Sequence, residues 1–113
     1  MPSENCCVTA GELRNIYFES GATPIQTVYE VPAGKIFVLT AWTLVNEGSQ
    51  VVTGRLRRGP DRVAFNRVFE PGVFFSHVTY PNGIAFGPLE AMVLETPFNS
   101  GRHYFFGYEH DVP

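Results

Sequence analysis

Lysine is almost missing from this chain. Lys35 is the only one in 113 residues, and charged residues together make up 17%, against about 25% in typical globular chains. So little charge cannot coat a free monomer generously, which favours a subunit that packs against something else. Acidic residues outnumber basic ones and the net charge is −3. A sequence-independent phosphate binder is therefore not expected, and neither is a nucleic-acid partner. Cysteine is confined to the adjacent pair Cys6 and Cys7. Vicinal cysteines rarely bridge each other because the ring is strained. The plain reading is two reduced thiols. An intersubunit disulfide is the sharper alternative, and a metal site lacks identifiable partner ligands.

Long apolar runs are absent too. Nothing approaches the roughly 20 residues of a membrane span, so no membrane partner is expected. The start, Met-Pro-Ser-Glu-Asn-Cys-Cys, has no basic stretch and no apolar centre, so no secretory signal is expected. Helical periodicity is missing as well: no useful window carries the i, i+3, i+4, i+7 pattern without a Gly or Pro inside it. The best, Ala10 to Phe18, is short and contains Gly11.

What is present is strand and turn. Leu13 to Phe18 reads as a short strand within an N-terminal arm covering residues 1–24. Strands then follow over Ile25–Val31, Ile36–Asn46, Val51–Arg58, Arg62–Phe69, Val73–Tyr80, Ile84–Phe86, Leu89–Thr96 and Arg102–Glu109. Pro32-Ala33-Gly34, Gly59-Pro60-Asp61, Glu70-Pro71-Gly72 and Pro81-Asn82-Gly83 separate some of them. Turns spaced at about 8 to 12 residues mark an all-β sandwich or barrel. Eight strands after the arm suit a jelly roll in residues 25–113, a single antiparallel β-sandwich domain. The Cys…Trp…Cys frame of immunoglobulin domains is missing, because both cysteines precede Trp42.

The longest strand is unusual. With strict period two, one side carries Ile36, Val38, Thr40, Trp42 and Leu44, and the other Phe37, Leu39, Ala41, Thr43 and Val45. Both sides are nearly apolar, where a half-solvated strand should show one polar face. The strand is expected to be buried twice, once in its own sandwich and once against a partner, with Phe37 and Trp42 as interface residues.

Val31-Pro32-Ala33-Gly34-Lys35 leading that strand, the Asn82-Gly83-Ile84 turn and the closing Phe106-Gly107-Tyr108-Glu109 together give a resemblance. The chain resembles small single-domain jelly rolls of phage and viral particles, the class of capsid decoration, head-fibre and tail accessory proteins. The similarity covers most of Ile25 to Asp111. It implies homo-oligomerisation, with a trimer favoured, and a structural role at the virion surface after synthesis in the host cytoplasm. It also implies attachment to other particle proteins such as a major capsid protein. It supplies no site residues.

Chemistry finds little support. The opening motif also looks cupin-like, but a cupin centre needs a His-X-His pair, a nearby Glu and a later His. His77, His103 and His110 are scattered. Convergence of His77 and His103, with Glu70 or Glu95 nearby, is the one route to such a site. Ser76 and His77 are adjacent and so face opposite ways on a strand, and no Gly-X-Ser-X-Gly elbow occurs. Glu90 and Glu95 differ in parity, which argues against an acid pair for glycoside chemistry. No catalytic residue, metal or cofactor is expected, and the chain is read as a non-enzyme.

The one charge asymmetry is basic. Arg55, Arg57, Arg58, Arg62 and Arg67 lie within thirteen positions. Arg55, Arg57, Arg58 and Arg62 are expected either to sit on a solvated hairpin balanced by the chain's many Glu residues or to hold carboxylates across an interface, for which Arg is favoured. Cys6 and Cys7 complete the expected interface set. The function expected is thus a structural assembly subunit of a particle. The alternative is a carbohydrate-binding β-sandwich, a lectin-like module using aromatics of the last strand to bind a glycan.

Overall fold

The computed structural model describes residues 12–20, 23–48, 51–68, 74–96 and 101–113. The secondary structure in them is entirely strand. The strands are β1 (Glu12–Glu19), β2 (Ile25–Glu30), β3 (Lys35–Asn46), β4 (Val52–Arg58), β5 (Asp61–Val68), β6 (Phe74–Phe86), β7 (Ala91–Glu95) and β8 (Gly101–Asp111). They form two antiparallel sheets, ordered β1-β8-β3-β6 and β2-β7-β4-β5. The all-β jelly-roll sandwich expected from the turn spacing is therefore what the chain adopts.

The topology has a simple origin. Strand β4 pairs β5, β3 pairs β6, β2 pairs β7 and β1 pairs β8. The chain is one long nested ribbon whose tip is the two-residue turn Gly59-Pro60, between Arg58 and its partner Asp61. Gly59 has φ +63°, the conformation that a two-residue hairpin turn reserves for glycine. Rolling that ribbon brings β8 beside β3 and β7 beside β4, and the two sheets close over a common core.

That core contains Val31, Phe37, Leu39, Trp42, Leu56, Phe86, Met92, Leu94 and Phe105, with a smaller cluster of Leu44, Val52 and Val68. Phe37 and Trp42 are 0% exposed within the chain itself, so neither serves as an interface residue. The sequence parity placed them on opposite faces. Both point inward because β3 shifts register between Leu39 and Ala41 against both of its neighbours. Thr40 is the extra residue opposite β8, and its hydroxyl donates to Phe106 O at 3.1 Å. A bulge reverses the alternation beyond it. The inward set becomes Phe37, Leu39, Trp42, Leu44 and Asn46, and the outward set Ile36, Val38, Ala41, Thr43 and Val45.

Two other expectations change. Val73–Tyr80 and Ile84–Phe86 are parts of one strand, β6. The turn signal at Pro81-Asn82-Gly83 is real but local: across β3 the register jumps from Thr79 opposite Ala41 to Ile84 opposite Leu39, so the intervening residues bulge and pairing resumes. Leu13–Phe18 lies within β1, which pairs with β8 over Glu12–Glu19. The sandwich thus takes in an edge strand from the stretch expected to be an arm, and Cys6 and Cys7 lie outside the described residues.

Gly54 makes room for Trp42. A Cβ there would lie 2.7 Å from Trp42 Cζ2 and 2.9 Å from Cη2. The indole cannot retreat easily, because it stacks on Phe105 at 5.3 Å and donates from Nε1 to His103 Nδ1 at 3.2 Å. Gly54→Ala is expected to destabilise the fold by about 1–3 kcal/mol, the usual cost of overpacking. Urea denaturation followed by Trp42 fluorescence checks this; an unchanged midpoint would show that the indole has room to move.

Candidate functional site

The two sheets present outer faces of opposite character. On the β1-β8-β3-β6 sheet, burial alternation and register set the outer side chains in four rows. They run Leu13–Tyr108–Val38–Ala85, Asn15–Phe106–Ala41–Thr79, Tyr17–Tyr104–Thr43–His77 and Glu19–Arg102–Val45–Phe75. Leu13 is 89% exposed and Phe75 68%, and Tyr17 and Tyr104 pack ring on ring at 5.0 Å. Polar groups here satisfy one another: Thr43 Oγ1 and His77 Nδ1 are 2.6 Å apart, and Arg102 pairs with Glu47 at 2.7 Å. Charge sits towards the ends of the face, with Lys35–Asp111 at the other end. The two middle rows carry no charged carboxylate or guanidinium and set Phe106, Ala41, Tyr17 and Tyr104 beside the neutral polar Asn15, Thr79 and Thr43 and the imidazole of His77. The doubly apolar reading of β3 therefore survives the bulge in altered form, with Ile36, Val38, Ala41 and Val45 on its outer side.

The outer face of the β2-β7-β4-β5 sheet is ionic. Arg55 and Arg57 share it, as the alternation required, and the register places Arg55 beside Glu95 and Phe65, and Arg57 beside Val93 and Arg62. Arg57 donates from Nε and Nη2 to Glu95 at 3.2 Å, and Arg62 donates through the same pair of atoms at 3.0 and 3.2 Å. Hydrogen bonding from Arg62 first, then Arg57, holds the Glu95 carboxyl below its ordinary value, against the opposing effect of burial. Arg58 donates from Nη1 to Ala85 O at 2.6 Å. Arg55 stacks on Phe65 at 5.4 Å. The carboxylate for Arg57 and Arg62 thus comes from the chain's own β7, as in the alternative of a hairpin balanced by the chain's Glu residues, and not from a partner. Sequence reading missed Glu95 in this role because its partners lie 33 and 38 residues away.

A third polar group lies inside. Glu109, 2% exposed, accepts from Arg14 at 3.0 Å and from the Tyr29 hydroxyl. Burial, then the bond to Glu109, pushes the Tyr29 phenol up to about 12. This cluster ties β1 and β8 to β2 of the other sheet. A buried carboxylate stripped of such partners costs several kcal/mol, so its role is structural.

The histidines do not converge. Register puts His77 on the outer face of the first sheet, opposite Thr43, and His103 on its inner face, opposite Leu44. Glu95 is on the far sheet and Glu70 lies outside the described residues. Among the described residues, no group of three His, Cys, Asp or Glu side chains gathers as metal ligands, and no helix is long and apolar enough to cross a membrane. Trp42, being buried, lies in no outer aromatic platform.

His103 is instead a core residue stacked on Phe105, with ring planes 5° apart. Its Nδ1 accepts from Trp42, so the ring proton sits on Nε2, which is buried with no partner. Burial pushes its pKa from 6.5 down to about 4. Unfolded His103 takes up a proton as the pH falls through about 6.5, while the folded ring stays neutral until about 4. The unfolded state binds more protons in that window, so stability is full above it and falls as the pH drops across it. The loss is on the order of 3 kcal/mol. His103→Gln keeps an acceptor for the indole and removes the titration. The stability gap between wild type and variant should shrink on going from neutral to acid. Parallel curves in thermal melts across that range would contradict this.

No family model matches this chain, and no curated protein does. Among solved structures it is similar to a chain from Bacillus endospore appendages, which form a novel family of disulfide-linked pili. The identity is 15%, the match covers 96% of this chain and 97% of that one, and the TM-score is 0.45.

Proposed function

We propose that this chain is a structural assembly subunit that self-associates through the outer face of the β1-β8-β3-β6 sheet. On the particle-protein resemblance, its setting is a virus or phage particle and its second contact is another particle protein. It does no chemistry of its own. One observation carries the reading: the two outer faces differ, and among the described residues no element covers the apolar one. The described residues that could cover it are all committed to the two sheets and their turns. Exposed apolar side chains grouped on one sheet face favour an interaction site, and burial of such surface contributes roughly 25 cal/mol per Å². Tyrosine and phenylalanine are also the residues enriched at the centres of interfaces. The face is a rigid sheet, so little ordering entropy opposes contact.

Leu13 and Phe75 sit at opposite edges of this face and are mostly exposed, which makes them suitable probes. Leu13→Glu with Phe75→Glu should weaken self-association at least about tenfold. Stability should move by no more than about 0.5 kcal/mol per site, as for other surface positions. Sedimentation velocity over a concentration series, paired with thermal melts, reads both. A wild-type protein that stays monomeric at high micromolar concentration, or a double variant that associates as well as wild type, would remove the basis for this function.

A further inference from the structure

We propose that the cleft at the free edge of β5 is a binding site for a carboxylate carried on an apolar, ring-sized body. The cleft holds about 340 Å³ and is lined by Arg55, Arg62, Val63, Ala64, Phe65 and Tyr80. That volume lies at the lower end of the range for small-molecule sites, roughly 300–1,000 Å³, which limits the occupant to about one ring.

The local fold makes the opening. Strand β5 is an edge strand. Its register slips where Leu56 faces Ala64 and Arg57 faces Arg62, leaving Val63 as the unpaired extra residue. Bulges at sheet edges re-aim side chains in this way. Val63, Ala64 and Tyr80 pack against the margin of the core, while Phe65, 48% exposed, stands at the rim. The walls are therefore apolar and partly aromatic.

The polar side chains of the lining are two guanidiniums and one phenol. Arg55 has its guanidinium laid over Phe65 and engages no carboxylate among the described residues. Arg62 commits Nε and Nη2 to Glu95, which leaves Nη1. Arg57 leans on the same carboxylate, so two guanidiniums share one negative charge and Arg55, beside Glu95 in the register, adds a third positive charge. The Tyr80 hydroxyl is buried without a hydrogen-bond partner. Its burial keeps the phenol protonated, with a pKa of about 12. The two guanidiniums can only donate, and their positive charge favours an anion among possible acceptors. Guanidinium recognises carboxylate through two parallel bonds. Bare acetate would leave the apolar wall unused, and a neutral ring would leave the donors unpaired. Two sources carry the right chemistry: a free aryl carboxylate, or an aromatic residue beside a carboxylate in a polypeptide. The site lies on the sheet opposite the proposed assembly face, so it stands or falls independently of that reading.

The probe is phenylacetate, titrated into the isotope-labelled full chain and followed by NMR. Phenylacetamide tests the need for charge, and acetate the need for the ring. N-acetylglycyl-phenylalanine with a free carboxylate tests the polypeptide source. Saturable shifts at residues 55, 62–65 and 80 are expected with phenylacetate. Its affinity should exceed that of phenylacetamide and acetate by roughly tenfold, the difference of one charge-assisted contact. Arg55→Gln and Tyr80→Phe should each weaken binding several-fold. Arg55→Lys, which keeps the charge but loses the planar fork, should fall between wild type and Arg55→Gln. Tighter binding of the free acid assigns the site to a small molecule, and tighter binding of the peptide assigns it to a polypeptide; either supports the site. Equal affinity for phenylacetate and phenylacetamide, unchanged binding in folded Arg55→Gln and Arg55→Lys, or shifts that do not saturate would overturn it.

Discussion

The fold depends on one extra residue in β3. That strand runs through the middle of its sheet, flanked by β8 and β6, and it supplies Phe37, Leu39, Trp42 and Leu44 to the interior. Strict alternation would send the first two to one side and the last two to the other, leaving half of this apolar set outside the sandwich. The slip at Thr40 prevents that. Its cost, an interrupted ladder, is offset locally by the Thr40 hydroxyl bond to Phe106 O. The bulge in β6 between Thr79 and Ile84 falls at the same level of the sheet, so the two irregularities accommodate each other. With Trp42 turned inward, the Gly54 space, the Phe105 stack and the His103 acceptor all have something to receive.

Much of the architecture was legible in the chain. Turn residues and β-branched runs mark local backbone choices, and those choices survive folding. The Gly59-Pro60 tip and the Arg102–Glu109 strand were both readable for that reason. Features set by pairing between distant strands were not. Whether Pro81-Asn82-Gly83 ends a strand or bulges from it depends on β3, some forty residues earlier in sequence. The Arg57–Glu95–Arg62 clamp and the Arg14–Glu109–Tyr29 cluster depend on which strands become neighbours. Parity arguments assume an unbroken strand, so the single slip at Thr40 was enough to misplace Phe37 and Trp42.

The scarcity of charge acquires a physical meaning once the faces are separated. Ionic side chains are concentrated where they satisfy each other: on the outer face of the second sheet, at the ends of the first, and in the one buried cluster around Glu109. They do not cover the middle of the first sheet. Distributing them evenly would have hidden Leu13, Tyr108, Val38 and Phe106 among solvated groups.

The arginines show why a cluster of charge in sequence is a poor guide to where a protein makes contact. Arg57 and Arg62 have their carboxylate at hand, and exposed pairs of this kind add little stability, about 0 to 1 kcal/mol. What they achieve is positional. Two guanidiniums fixed on Glu95 brace β4 and β5 against β7, and this holds Arg55 and Phe65 in place beside the cleft. Arg55 is left with a face on an aromatic ring and, among the described residues, its donors without a carboxylate. The apolar face of the first sheet has no such internal partner for its side chains, since neighbouring rings and aliphatic groups cannot shield one another fully on a flat surface. On the two proposals above, contact would gain free energy mainly on the first sheet, where water is displaced from apolar area, and selectivity mainly on the second, where guanidinium donors favour an anion.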